Sequence, residues 1–269
     1  MTQAVRIERA EPPGLSAAGA VLLPAAGFAA FFFLWWFATD GVHASGLPGR
    51  FALSRTLAAL ARLVLDGELW PHLVASLRRI AVGLALSVGL GLPLGLAIGT
   101  LPRFGQASLP LFHWIRMVSP LSWTPLAIMV LGVGDAPVYF LVGIAGMWPV
   151  VMATSAALAS LDRGLLLVGR TLGGSPLEVA RTVVWPSIRP QVATGIRLSI
   201  GIGWVVLVPA EMLGVDSGLG YFVLSARDRL DYAELSAAIL VIGILGVGID
   251  RGARWLLSDD RSRSPRRRS

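Results

Sequence analysis

The stretch Ile80–Pro102 reads IAVGLALSVGLGLPLGLAIGTLP and carries no charged side chain. A helix needs about 20 mostly apolar residues to cross the hydrocarbon core of a bilayer, so this run is long enough to span. Within it Gly83, Ser87, Gly91, Gly95 and Gly99 recur at every fourth position, which places them on one ridge of a helix. A ridge of small residues lets another backbone approach closely, and van der Waals packing is what drives helix association in lipid. The expected fold class is therefore an all-α integral membrane protein whose helices form a tight bundle. The segment Gly195, Ser199, Gly203 repeats the same device further along.

Working outward, Ala17–Ala38 and Ala136–Leu161 are also free of charge, and Phe104–Gly134 is interrupted by Arg116. Two shorter apolar runs, extended by their flanks, complete a count of six. The expected spans are residues 17–38, 73–102, 107–134, 136–161, 191–213 and 232–257, within a transmembrane domain of 17–257. Residues 1–16 read as a cytoplasmic tail and 258–269 as a disordered Arg/Ser tail. The first apolar segment is longer than the core of a signal peptide and is bulky and aromatic at Phe31–Phe37, so it reads as a retained span. Between the first two spans, Ser54 is placed to cap a short amphipathic helix over Arg55–Asp66, with Gly67 after its end.

Composition narrows the chemistry. The chain has 269 residues, 55% hydrophobic and 14% charged, with no cysteine, which removes disulfides, thiolate nucleophiles and Cys metal sites. All 23 basic residues are Arg. Without Lys there is no Walker A phosphate loop and no Schiff-base chemistry. The formal charge of +7 is distributed around apolar runs rather than along one stripe, which points to membrane orientation and not to nucleic acid. With the N-terminus inside, fourteen Arg fall on the cytoplasmic side and seven outside, favouring cytoplasmic termini. Arg78 and Arg79, at the outer start of the second span, run against that bias.

Prolines at membrane depth expose backbone that only protein or a water-filled cavity satisfies. The densest case is Ser119-Pro120-Leu121-Ser122-Trp123-Thr124-Pro125, which suits a bent helix lining a passage. Ionisable groups at this depth are functional candidates. If the chain forms a passage, its proposed lining is Arg116, Ser119, Ser122, Trp123, Thr124, Trp148, Thr154, Ser199 and Trp204, with Glu211 a further candidate for the translocation pathway.

The loop 162–190 is basic and structured. Ser175-Pro176-Leu177-Glu178 is a capping box with Pro at the first helical position. The pair Gly173-Gly174 ends a helix of about Leu165–Leu172 and turns into a second of about Pro176–Val184, stopped by Pro186. The turn needs φ > 0 at Gly173. The second helix is too short to stand alone in water and must dock on a partner.

That loop resembles the "EAA" loop of ABC importer permeases. The Glu-Ala-Ala slot holds Leu167-Val168-Gly169; nine residues then separate Gly173 from Val183-Val184-Trp185-Pro186, which fills the Ile-x-Leu-Pro slot. The resemblance extends over about residues 47–251 to nitrate/sulfonate/taurine-type (bicarbonate-type) permeases. It is carried by Leu73–Gly83, Val118–Leu126, Thr194–Arg197, Pro209–Leu213 and Ser217–Tyr221.

The resemblance implies the type I importer fold and an inner-membrane permease subunit without catalysis of its own. ATP and Mg would be bound by a separate cytoplasmic ATPase. An external solute-binding protein, a second permease copy and membrane lipid would be the other partners, and no nucleic acid. The implied substrate class is a small anion. The ATPase-coupling residues would be Gly164, Gly169, Arg170, Gly173, Ser175, Pro176, Leu177, Glu178, Val179, Arg181, Val183 and Pro186, with Asp162 and Arg163 on the rim. Two other readings differ in class: an ion-coupled secondary transporter using Glu211, and a membrane enzyme. The second lacks any His/carboxylate cluster or nucleophile–base pair.

Overall fold

The computed structural model describes residues 17–41, 46 and 48–257. The two expected tails, 1–16 and 258–269, lie outside the described residues, as do the side chains of Arg163 and Arg170. Among the described residues the chain is helical, with no strand. In order the helices are α1 (Ala17–Trp36), α2 (Leu53–Leu65), α3 (Leu69–Thr100), α4 (Pro102–Met117), α5 (Thr124–Leu131), α6 (Asp135–Ala159), α7 (Arg163–Thr171), α8 (Pro176–Val179), α9 (Trp185–Gly214), α10 (Leu219–Asp228) and α11 (Tyr232–Leu257).

Residues up to Ala59 form one compact unit and those from Leu60 a second. In the first unit, α1 is prolonged by a π turn, Phe37–Gly41. The expected cap of α2 is corrected here. Helix α2 begins at Leu53, and the capping carboxylate is that of Asp40, which accepts from Leu53 N at 2.9 Å. Ser54 donates its hydroxyl to the same carboxylate. Gly67, at φ 80°, follows the helix end as expected.

The second unit is organised around α6, which packs against both α3 and α9. Its Val142 and Val150 are completely buried. The small-residue ridge of α3 meets α6 along its length. A Cβ on Gly91 would lie 2.9 Å from Met147 O, one on Gly95 2.7 Å from Thr154 Cβ, and one on Gly99 2.6 Å from Leu158. Helix α9 approaches the other side of α6 in the same way, a Cβ on Gly195 falling 2.6 Å from Ala153 Cβ. The sequence periodicity therefore identifies the two seams of the bundle.

Among the described residues, five helices are long and apolar enough to cross a membrane, and α4 with Pro120–Leu131 makes a sixth only as a pair bent by 88°. With 1.5 Å per residue, α4 reaches about 24 Å and α5 about 12 Å, so neither crosses a core of about 30 Å alone. The break follows from Pro120, which forces the preceding residue out of the helical region: Ser119 sits at φ −57°, ψ 131°.

The fifth span differs from expectation at its start. Pro186 does not stop the short helix of the loop. Helix α8 passes through a π turn, Ala180–Val184, directly into α9. A proline in a regular helix clashes with the carbonyl four residues back and lacks a donor for it. The wider π turn precedes Pro186 and puts it in the first turn of α9, where a missing N–H matters little. The result is one helical path over Pro176–Gly214, 39 residues long.

Candidate functional site: a helical elbow and a buried ionic cluster at opposite ends of the bundle

The loop after α6 folds as the sequence predicts into two helices meeting at an acute turn. Gly173 has φ 80°, with open space where a Cβ would stand, so glycine is required there by backbone conformation rather than by crowding. Both halves of the capping box form: Ser175 N donates to Glu178 Oε2 at 2.8 Å and Glu178 N donates to Ser175 Oγ at 3.3 Å. Pro176 occupies the first helical turn.

The two arms close on each other through small residues. Gly169 and Gly174 both face Val179, each with a virtual Cβ 3.2 Å from Val179 Cγ2. Val179 is buried by this contact. Val179, expected among the coupling residues, therefore lies on the inside of the elbow. The groove between the arms, about 440 Å³, runs past Leu165, Val168, Thr182 and Val183. What faces outward is apolar: Leu167 is 64% exposed, Leu172 82% and Leu177 62%. Gly164, Glu178 and Arg181 are exposed beside them, and Val183 and Pro186 are half-buried where the elbow joins α9.

The residues proposed to line a passage separate into two groups. Arg116, Ser119 and Ser122 are exposed and Trp123 half-buried, all at the α4–α5 break. Thr124, Trp148, Thr154, Ser199 and Trp204 are buried within the chain. Thr154 and Ser199 are fully buried at the α3–α6–α9 seams, beside Gly95 and Gly146 respectively. Their hydroxyl oxygens are buried there without a hydrogen-bond partner. Trp148 makes a tilted ring contact with Phe112 of α4, centroids 5.6 Å apart.

Glu211 is likewise not open to a passage. It is completely buried near the end of α9, and both carboxylate oxygens are engaged. Ser76 Oγ donates to Oε1 and Oε2 at 2.8 and 2.9 Å, Arg79 Nη1 to Oε1 at 3.0 Å, and Gly220 N to Oε2 at 2.9 Å. Arg79 is 1% exposed. Its remaining donors reach Asp135 Oδ1 at 2.7 Å, Ser217 O at 2.6 Å and Ser217 Oγ at 2.9 Å, and Arg78 pairs with the same Asp135. A buried ion pair of this kind is tolerable only when its other donors and acceptors are also satisfied, which they are.

Arg79, Asp135, Ser76 and Ser217 were not among the expected site residues. The available signal was Arg78-Arg79 itself, which broke the charge asymmetry. The anomaly disappears once both side chains are seen to be held by carboxylates of the same cluster. At this end too, Glu234 accepts from Arg62 at 2.6 Å and from Arg229 at 2.8 Å.

A likeness to known proteins follows the same fold and blocks. Residues 89–257 match the family model described as binding-protein-dependent transport system inner membrane component. The bicarbonate transport system permease protein CmpB of Synechococcus elongatus is 30% identical, covering 88% of each chain. The taurine transport system permease protein TauC of Escherichia coli is 34% identical over 71% of this chain and 70% of its own. Among solved structures, an inward-facing MetNI methionine ABC transporter chain aligns with a TM-score of 0.61 at 14% identity, covering 74% of this chain and 97% of that one, which supports the shared fold. A bundle seamed by small residues, an elbow preserved in turn and cap, and matches across most of the chain converge: this protein belongs to the binding-protein-dependent transport system inner membrane component family, and is a permease subunit of an ABC importer.

Proposed function

We propose that this permease imports a small oxyanion-bearing solute of the bicarbonate, nitrate or taurine class, driven by a separate ATPase that docks on the elbow of residues 162–190. Both termini and the elbow face the cytoplasm in this reading, a binding protein delivers solute to the opposite end, and a second copy completes the passage. The observation that carries it is the exposure of Leu167, Leu172 and Leu177 on the elbow, together with that of Glu178 and Arg181. Exposed apolar side chains interspersed with charges suit a protein partner better than water. The substrate class is supported by relatives named for bicarbonate, taurine and nitrate transport.

The mechanical reading follows from helix continuity. The second arm of the elbow is the first part of the 39-residue path that ends at Gly214, about 58 Å of helix. A displacement of α8 by the ATPase is thus a displacement of α9, with no loop between them to absorb it. Packed against α6 at Gly195, α9 carries α6 and α3 with it, and the bent α4–α5 pair with Arg116, Ser119, Ser122 and Trp123 faces the passage. An ion-coupled carrier using Glu211 is disfavoured, because that carboxylate already serves Ser76, Arg79 and Gly220.

The test is uptake into proteoliposomes holding the permease, its ATPase and its binding protein, with labelled bicarbonate, nitrate and taurine offered separately. ATP-dependent accumulation of one of them is expected. Accumulation that persists without the ATPase, driven by an ion gradient, would refute the reading.

A further inference from the structure

We propose that Arg79 and Glu211 are positioning residues of the transport cycle, fastening the first turn of α10 to α3, α6 and α9 so that the four elements move as one block. The inference rests on the proposed ATP-driven cycle for its test, but its grounds are geometric. His72, Ser76 and Arg79 share one face of α3 at helical spacing, and each holds a group of the turn entering α10. His72 Nδ1 accepts from Gly218 N at 3.1 Å, Ser76 Oγ accepts from Leu219 N at 2.8 Å, and Arg79 donates to Ser217 O at 2.6 Å. Glu211 closes the set from α9 by accepting from Gly220 N.

The first N–H groups of a helix have no partner within it, and the helix start favours a negative charge. Here the N–H groups of Gly218, Leu219 and Gly220 are all taken by side chains from two other helices, and the negative charge is the protein's own carboxylate. Arg79 then ties the assembly to the start of α6 through Asp135.

Glycine makes room for this. Gly218 has φ 103°, and a Cβ there would lie 2.5 Å from both Arg79 Nη1 and the Glu211 carboxyl; one on Gly220 would lie 2.8 Å from Glu211 Cβ. The Ser217-Gly218-Leu219-Gly220 block is thus read as the socket of an ionic bolt. A helix of ten residues does not hold its own shape or place in isolation, so the entry of α10 is set by these contacts.

The experiment compares ATP hydrolysis by the reconstituted complex with and without loaded binding protein. Glu211→Gln keeps the shape and removes the charge. The assembled variant should retain basal hydrolysis and lose about tenfold of the stimulation, within the range seen for residues that touch neither ligand. Glu211→Asp should recover part of it. An assembled Glu211→Gln complex that is less heat-stable yet fully stimulated would reduce the cluster to a fold-stabilising role and overturn the proposal.

Should these variants fail to assemble, a second arm decides. The chain has no cysteine, so His72→Cys with Tyr221→Cys, whose native rings lie 6.1 Å apart, can be bridged by a short reducible bis-thiol reagent, with the unbridged double variant, which already lacks the His72 contact to Gly218 N, as the reference. Transport that continues while bridged supports a rigid block. Transport that stops and returns on reduction means that α10 parts from α3 during the cycle, and ends the proposal. A wild-type complex showing no stimulation at all would instead sink the functional reading, and this inference with it.

Discussion

At one end of the bundle Arg79 is 1% exposed and every neighbour it charges or bonds is accounted for; at the other Leu172 is 82% exposed and has no comparable cover. The first region holds the Arg79–Glu211 pair inside, with its partners supplied by the bundle itself. The second holds apolar groups outside and keeps its shape through a turn, a cap and the small contact around Val179. Both ends are built on glycine, but for different reasons. Gly218 makes space for an ion pair and Gly220 for the backbone of α9, whereas Gly173 supplies a backbone angle in open surroundings. The lesson is that charge at membrane depth can mark a fastening, and apolar surface outside it can mark the place where work is done.

This contrast is broken most severely at the closed end. Arg79→Met strands Glu211 and Asp135, and a buried pair deprived of one partner loses about 3–5 kcal/mol. The permease should unfold in detergent at a clearly lower temperature and accumulate poorly. Next comes the seam between the two ends. Gly95→Val drives a side chain into Thr154 and the carbonyl of Val151, and such overpacking costs about 1–3 kcal/mol. A lowered unfolding temperature is expected with the elbow intact, so ATPase retention on an affinity column should persist in whatever fraction folds.

The open end should respond the other way, in function before stability. Gly173→Val places a β-branched residue at positive φ, a strain of about 1–2 kcal/mol. Insertion should be normal while ATPase retention and uptake are lost; wild-type uptake would show that the turn tolerates another shape. The mildest change is Ser175→Ala. Removing a cap costs about 1 kcal/mol, confined to the elbow, so the bulk unfolding transition should stay in place while ATPase affinity falls a fewfold.

Much of the architecture was legible in the residues. The ridge Gly83–Gly99 predicted that another helix packs there, which proves to be α6, because four-residue spacing of small side chains puts them on one face of a helix. The elbow was legible because capping and positive φ are local properties, written within a few positions. The buried cluster was not, because it joins residues 76, 79, 135, 211 and 217, and only the closed bundle brings them within hydrogen-bond reach. Thr154 and Ser199 were assigned to a passage on polarity, but a small hydroxyl at a helix seam serves packing as well as it serves solute. Pro186 misled for a local reason: its rule assumes regular helix spacing ahead of it, and the chain widens there.

That widening has a consequence for the elbow's aim. A π turn carries one surplus residue relative to the regular repeat, and one residue of α-helix corresponds to about 100° of rotation. The surplus within Ala180–Val184 therefore sets the compass bearing at which the short arm leaves the long one. Removing a single residue there would leave the bundle and the arm each intact, yet turn Leu177 about a quarter of a circle away from whatever it now addresses.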